Sequence, residues 1–238
     1  MVAPSIAKTP CMSQPAPLAW TESGTPVSRR FDDPYFTIGA GLAEAEHVFL
    51  AGNQLPARYR PGFSIAELGF GTGLNLLAAL THWTGPLEGE GRLGFTSFEA
   101  YPMAAADMAR ALAHFDLPLA PALVAAWAQT EGPVRRFALP GTEVTVIIGD
   151  ARETLPQWQD AADAWFLDGF SPAKNPELWG AALMEQIARH TRPGGSFATY
   201  TAAGHVRRAL EAAGFRVSRS PGFGRKRHMS AGVLEPRP

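Results

Sequence analysis

The stretch Ser64-Ile65-Ala66-Glu67-Leu68-Gly69-Phe70-Gly71-Thr72-Gly73-Leu74-Asn75-Leu76-Leu77 constrains this chain more than any other. A short apolar run ends in an acid, passes three alternate glycines and enters a helical pattern. That order predicts a buried strand, a tight turn and a helix. Glycines at 69, 71 and 73 leave one side of the turn without Cβ atoms. A ligand can then approach the backbone, and positive φ costs little. The amides that open the following helix point toward such a ligand. Candidate ligand contacts here are Glu67, Gly69, Phe70, Gly71, Gly73 and Asn75.

The spacing is G-x-G-x-G, not the G-x-G-x-x-G of a dinucleotide fingerprint. A second acid is expected at the tip of the next strand, where it can accept hydrogen bonds from a ribose. Glu99 closes the run Leu93–Glu99, 26 residues after Gly73. Together these residues are similar to a class I methyltransferase site for S-adenosylmethionine. A glycine-rich turn in another nucleotide-binding α/β protein is the alternative.

The rest of the chain alternates strand and helix signals. Leu18 to Phe36 predicts short strands with turns at Ser23-Gly24 and Asp33-Pro34, and Leu42 to Leu50 a helix stopping at Gly52-Asn53. Helices are expected at Leu74–Trp83, Pro102–Phe115, Pro121–Gln129, Ala151–Trp158 and Glu177–His190, and one more carries the stripe Val206, Ala209, Leu210, Ala213. Strands are expected at Val134–Leu139, Glu143–Ile148, Asp163–Asp168 and Ser196–Tyr200. A closing hairpin, Phe215–Arg219 with His228–Leu234, sets one antiparallel strand at the edge. Such alternation argues for an α/β protein with a mostly parallel sheet covered on both faces. Glu99, Asp150 (with Ala151) and Asp168 then end successive strands and face one crevice.

With 238 residues the chain is long enough for one substantial core. Residues 1–17, carrying four prolines, are expected to be a disordered leader, 18–62 an N-terminal extension and 63–238 the catalytic core. Cys11 is the only cysteine, and the six histidines show no ligand spacing, so no metal site is expected. No signal or spanning segment is legible, which suggests a cytoplasmic protein with no membrane contact. The net charge of −1 conceals an asymmetry: residues 1–188 hold 11 Lys/Arg against 20 Asp/Glu, and residues 189–238 hold 10 against 2. A basic end suggests a polyanionic partner there, although a solvated basic face is the plainer explanation.

Four segments resemble one family closely. They are Phe31-Asp32-Asp33-Pro34-Tyr35-Phe36, Glu67 to Asn75, Leu167-Asp168-Gly169-Phe170-Ser171-Pro172-Ala173-Lys174-Asn175-Pro176 and Gly222-Phe223-Gly224-Arg225-Lys226-Arg227. These are similar to the methyltransferase domain of MnmC, over about residues 18–235. The resemblance implies a Rossmann-like, seven-stranded class I methyltransferase fold with a terminal antiparallel hairpin and a small N-terminal β/α extension. It implies S-adenosyl-L-methionine as cofactor, tRNA as partner, and N-methylation of the 5-aminomethyl group on wobble uridine 34. A flavin-dependent oxidase domain accompanies this domain in the bifunctional proteins; a separate FAD-dependent oxidase acting on the same nucleotide is therefore a candidate partner.

The residues themselves suggest roles. A primary alkylamine is mostly protonated at neutral pH, and its ammonium has no lone pair. Asp168 is the first candidate to accept that proton, and Asp32 the second. Phe170 is placed to stack on the base, helped by Phe31 and Asp33, and Lys174 to meet a phosphate or steady its loop. Arg225, Lys226 and Arg227 are expected to bind tRNA phosphates. A small-molecule methyltransferase and a catalytically silent RNA-binding protein of the same fold are the competing readings.

Overall fold

The computed structural model describes residues 16–37 and 39–236. The expected leader therefore lies almost wholly outside the described residues. Its last two members are tied down: Ala16 N–H donates to Pro102 O, and Pro17 O accepts from Arg29 N–H.

A small antiparallel sheet comes first, formed by β1 (Leu18–Trp20), β2 (Pro26–Ser28) and β3 (Asp33–Pro34) in that order. Helix α1 (Gly41–Ala45) continues through a π turn (Glu46–Leu50) and a 3₁₀ turn (Ala51–Asn53). The expected single helix is thus three distinct windings. Gly52 lies so close to the main sheet that an added Cβ would meet the Ala198 Cβ at 2.7 Å. Asn53 then fastens the segment: its Nδ2 donates to Phe49 O at 2.9 Å and Trp165 O at 3.2 Å, and its Oδ1 accepts from Ser196 Oγ at 2.6 Å. Fully buried, such an amide must find partners or cost a few kcal/mol, roughly 1–3.

The main body alternates as expected. In chain order it holds β4 (Ser64–Leu68), α2 (Leu74–Thr81), β5 (Leu93–Glu99), α3 (Ala105–Leu112), α4 (Ala120–Ala128), β6 (Val134–Leu139), β7 (Thr142–Ile148) and α5 (Ala151–Thr154). Then follow β8 (Ala162–Leu167), α6 (Ala181–Arg189), β9 (Thr191–Thr199), α7 (Gly204–Ala212), β10 (Phe215–Pro221) and β11 (His228–Leu234). The main sheet has eight strands in the order β10-β11-β9-β8-β4-β5-β7-β6. That is one more than the seven expected, because β6 folds back on β7 as an antiparallel edge.

The closing hairpin also differs from its expected placement. Strand β11 inserts between β9 and β10 and runs antiparallel to both, leaving β10 at the edge. Side-chain character explains the order. Met229, Ser230 and Ala231 are buried and can be covered on both faces, whereas Arg216, Arg219 and Pro221 of β10 are exposed and suit an edge. Residues Arg192 to Gly195 form an interruption inside β9: Thr191 pairs with Ala162, but Ser196 already pairs with Ala164.

Central strands read as continuous apolar runs because both faces are covered. Along β8, Ala164 and Phe166 enter the core under α2 and the N-terminal segment, and Trp165 and Leu167 enter the core under α6 and α7. The first core is continuous from Val48, Phe49 and Leu50 to Phe63, Ile65 and Phe95. Among the described residues no helix is long and apolar enough to cross a membrane.

Asp163, second in β8, anchors the end of the sheet away from the strand tips. It accepts from Arg60 Nη2 at 2.8 Å, Arg192 Nη1 at 2.6 Å and the Ser64 amide at 2.8 Å. Burial alone would raise its pKa, but the Arg60 hydrogen bond, the Ser64 amide and the Arg192 charge together hold it below the usual carboxylate range. A depressed carboxyl contributes stability above its unfolded pKa of about 3.9, and that contribution is lost as pH falls through the folded value. Asp163→Asn is therefore expected to cost roughly 1–3 kcal/mol at pH 7. The gap between the two proteins in denaturant titrations should shrink as pH falls below the unfolded value and close as it passes the folded one.

Candidate active site

Strands β7, β5, β4, β8 and β9 are mutually parallel, so their carboxyl ends share one edge of the sheet. The connections leave in opposite directions from β4 and β8, the switch point where open α/β sheets form their crevice. A cavity of about 450 Å³ opens there, within the range of small-ligand sites. The loop after β4 forms its floor, with Gly69, Gly71 and Gly73 at φ +83°, +54° and +76°.

Glycine is required at these positions for different reasons. Gly69 and Gly71 line the cavity, and a Cβ on Gly71 would meet the Tyr35 ring at 3.2 Å. Gly73 lies behind the wall, where a Cβ would strike Leu123 Cδ2 at 2.6 Å. Its role is helix packing and not ligand approach, which corrects the expectation for that residue. Phe70 lines the cavity and packs against Trp127 with the rings tilted by 30° and their centroids 5.1 Å apart.

The four acids divide by position. Glu67 is buried beneath the loop; its carboxylate accepts from Asn75 Nδ2 at 2.9 Å and Ser97 Oγ at 2.7 Å. It supports the floor and does not border the cavity, a second correction. Burial raises its pKa well above the usual carboxylate range, against the pull of Ser97 and Asn75. Glu99 ends β5 inside the cavity, accepting from the Gly71 amide at 2.9 Å and the Tyr101 amide at 2.6 Å. Burial raises its pKa as well, opposed by those amides. Asp150 caps α5 through the Arg152 amide at 2.9 Å and pairs with the Arg152 guanidinium at 2.5 Å, so hydrogen bonds from Arg152 lower its pKa. Ala151 and Arg152 border the same side of the cavity.

Asp168 follows β8 directly. Its Oδ2 accepts from Asn75 Nδ2 at 2.8 Å and its Oδ1 from the Gly169 amide at 2.8 Å. Removal from water pushes its carboxyl up to about 6, against the hydrogen bonds from Asn75 and Gly169. The loop that carries it is clamped by the N-terminal sheet. Phe170 stacks on Phe31 with centroids 4.7 Å apart and meets Tyr35 edgewise. Asp33 Oδ2 accepts from the Ser171 amide at 2.9 Å, and Lys174 Nζ donates to Asp32 O.

This clamp sorts the remaining candidates. Phe31, Asp33 and Phe170 line the cavity, but one face of the Phe170 ring is already covered by Phe31. Lys174 steadies the loop, lying 3.6 Å from Asp33 Oδ1. Asp32 has a side chain 96 % exposed, and it pairs with Lys174 outside the cavity. It is thus misplaced for proton transfer. Of the basic triplet, Lys226 lines the cavity and bonds Glu44 at 2.6 Å, whereas Arg225 and Arg227 point outward. Glu44, Tyr35, Tyr200 and Tyr101 complete the wall, and sequence reasoning did not select them as site residues. A signal existed for Glu44, a carboxylate on the buried side of α1.

A family model described as S-adenosyl-L-methionine-dependent methyltransferase matches residues 118–235. The bifunctional tRNA 5-methylaminomethyl-2-thiouridine biosynthesis proteins MnmC of Chromobacterium violaceum and Pseudomonas aeruginosa are 46% and 44% identical over 92% and 93% of this chain. The chain spans about a third of their lengths, 34% and 35%. The crystal structure of MNMC2 from Aquifex aeolicus superposes with a TM-score of 0.72 at 25% identity, over 95% of this chain and 72% of that one. A precorrin-6y C5,15-methyltransferase from Geobacter metallireducens, 12% identical with a TM-score of 0.51 over 90% of this chain and 95% of that one, shares the fold.

The chain's own residues suit that cofactor. Gly69 and Gly71 leave backbone exposed on the floor, and the Glu99 carboxylate, held by the Gly71 and Tyr101 amides, borders the cavity as an acceptor for a hydroxyl group. Gly71→Asp would set a carboxylate against Glu99 and the Tyr35 ring on this floor. The variant is expected to fold and to lose S-adenosyl-L-methionine binding, so near-normal calorimetric affinity would refute the cradle. Fold, glycine floor and family model agree that this chain is similar to S-adenosyl-L-methionine-dependent methyltransferases and, over nearly its whole length, to part of the MnmC proteins.

Proposed function

We propose that this protein methylates the 5-aminomethyl group of wobble uridine 34 in tRNA, giving 5-methylaminomethyl-(2-thio)uridine. The observation that carries the reading is Asp168, a carboxylate at the cavity wall beside the glycine floor, in a loop clamped from three points. The high identity to MnmC proteins over nearly the whole chain supports the substrate assignment. An oxidase acting on the same nucleotide, on another domain or another protein, belongs to the same proposal.

Bound S-adenosyl-L-methionine supplies a methyl group on a sulfonium, ready for an amine lone pair. The chain must bring that lone pair into being. An alkylammonium has an ordinary pKa near about 10 and a carboxyl near about 4, so proton transfer between them in water is uphill. Burial disfavours both charges, lowering the first pKa and raising the second. Asp168, already pushed up to about 6, has moved in that direction. Asn75 and the Gly169 amide fix its two oxygens, so the carboxylate can hold the amine in one orientation. Phe31, Phe170 and Tyr35 present an aromatic wall suited to an extruded base.

The test uses labelled S-adenosyl-L-methionine with undermodified tRNA, followed by digestion to nucleosides. Label in 5-methylaminomethyl nucleoside supports the reading; label only in small-molecule amines, or none, overturns it. Asp168→Asn should lower turnover by roughly 10²–10⁴-fold. In the wild type, kcat/KM should rise with pH through about 6, as the carboxyl loses its proton, and this limb should vanish in the variant.

Docking of the tRNA body falls to the outward members of the basic turn. Among the described residues neither Arg225 nor Arg227 makes an ion pair with the chain. Replacing both with alanine should weaken tRNA uniformly and flatten the salt dependence by about two units of slope, one per lost phosphate contact. Cofactor affinity and thermal stability should stay near wild type. Unchanged tRNA affinity at low salt would remove this surface from the model of recognition.

A further inference from the structure

One ion pair at the cavity wall is not required by the fold. Glu44, on α1, has a side chain 12 % exposed; its Oε1 accepts from Lys226 Nζ at 2.6 Å and its Oε2 from Thr37 Oγ1. The Lys226 side chain is 42 % exposed, so the pair is only partly shielded and contributes little to stability, which leaves its presence to be explained by another use. Lys226 Nζ also lies 4.2 Å from the centre of the Tyr200 ring. The Tyr200 hydroxyl donates to Gly169 O at 2.8 Å, one residue beyond Asp168. A continuous set of contacts thus runs from α1, through the turn before β11 and the end of β9, to the loop that carries Asp168.

We propose that Glu44 and Lys226 are positioning residues for Asp168: Glu44 aims Lys226, Lys226 seats Tyr200, and the pair sets the local field at the amine-binding carboxylate. This rests on the reading of Asp168 given above. Neither residue touches the amine. Lys226 reaches the site from the same turn whose neighbours Arg225 and Arg227 face outward. A single segment therefore serves the outer surface and the inner wall.

The pair's charges act on Asp168 in opposite senses, Glu44 raising and Lys226 lowering its pKa, with burial the larger cause. The other charged or titratable groups of this cavity are Glu67 from β4 behind Asn75, Glu99 from β5, Asp33 from β3, Tyr200 after β9, and, along the rest of the wall, Arg30, Tyr35, Tyr101, Asp150, Arg152 and Glu177. Arg30 and Arg152 lie on the same wall, but Lys226 is the cation whose charge acts on Asp168, so its loss leaves the raising influences of burial and Glu44 without that opposition.

The experiment compares Lys226→Met, Lys226→Arg, Glu44→Gln and the Lys226→Met/Glu44→Gln double variant. The Asp168 carboxyl is titrated by ¹³C NMR in the cofactor-free protein, with Asp168→Asn identifying the resonance. Lys226→Met should raise the midpoint by roughly half a unit to one unit, and Glu44→Gln should lower it by a similar amount. The double variant should return near wild type, and Lys226→Arg should hold the wild-type value by keeping the charge. Midpoints that do not move, or that move the same way in both single variants, overturn the proposal. The pH limb of kcat/KM is then measured for the same set. A limb that fails to follow shifted NMR midpoints would sink the role of Asp168 in methyl transfer while leaving its coupling to the pair intact.

Discussion

One amide holds the site together. Asn75, in the first turn of α2, donates through Nδ2 to Glu67 on β4 and to Asp168 after β8. Those two carboxyls lie across the seam where the sheet reverses its order, and the charge of Asp168 adds to the cost of ionising Glu67. Without a shared donor, two such groups in a dry crevice would part or fill with water. The amide can do this because α2 begins directly after the glycine turn, so the helix cannot be displaced without undoing the floor.

The second requirement is that the loop carrying Asp168 be held from outside the sheet. Strand ends are rigid, but residues 169–176 leave the sheet and would move freely. The N-terminal segment stops this with an aromatic stack, a side-chain acceptor for the Ser171 amide and a lysine bond to a backbone carbonyl. Energetically these are modest; a stacked aromatic pair adds about 0.5–1.5 kcal/mol beyond its burial. Their value lies in placement, since a small displacement of a catalytic carboxylate costs far more in rate than in stability. Asn53 does the same for the segment as a whole, tying it to β8 and β9.

The site also explains why its central acid is destabilising. A carboxyl raised from about 3.9 to about 6 favours folding only while protonated, so its contribution is present below the unfolded value and lost as pH rises through the folded one. At neutral pH the protein therefore carries Asp168 against its own stability. Asp163, at the other end of β8, has the opposite sign and contributes most at neutral pH. One strand thus bears a stabilising acid where it enters the sheet and a strained one where it leaves.

Much of this was legible in the residue order. The alternation of apolar runs with helical stripes determined a parallel sheet covered on both faces, and acids at the ends of those runs had to meet at one edge, because parallel strands share their carboxyl ends. Glu99 and Asp168 were found in that way. What failed was anything that depended on side-chain direction or strand insertion. Glu67 and Gly73 sit in the motif yet face away from the cavity; Asp32 neighbours Asp33 yet turns to solvent. The place of β11 between β9 and β10 follows from which strand can be covered twice, a comparison no single segment reveals. Glu44, Tyr200 and Lys226 come from positions 44, 200 and 226 and meet only because α1, the end of β9 and the turn before β11 pack around one crevice. The sequence by itself determined which acids end the strands, since that is a matter of local order. Only the tertiary structure decided which of them meet a neighbour or face the cavity, since burial and charge pairing act between segments far apart in the chain.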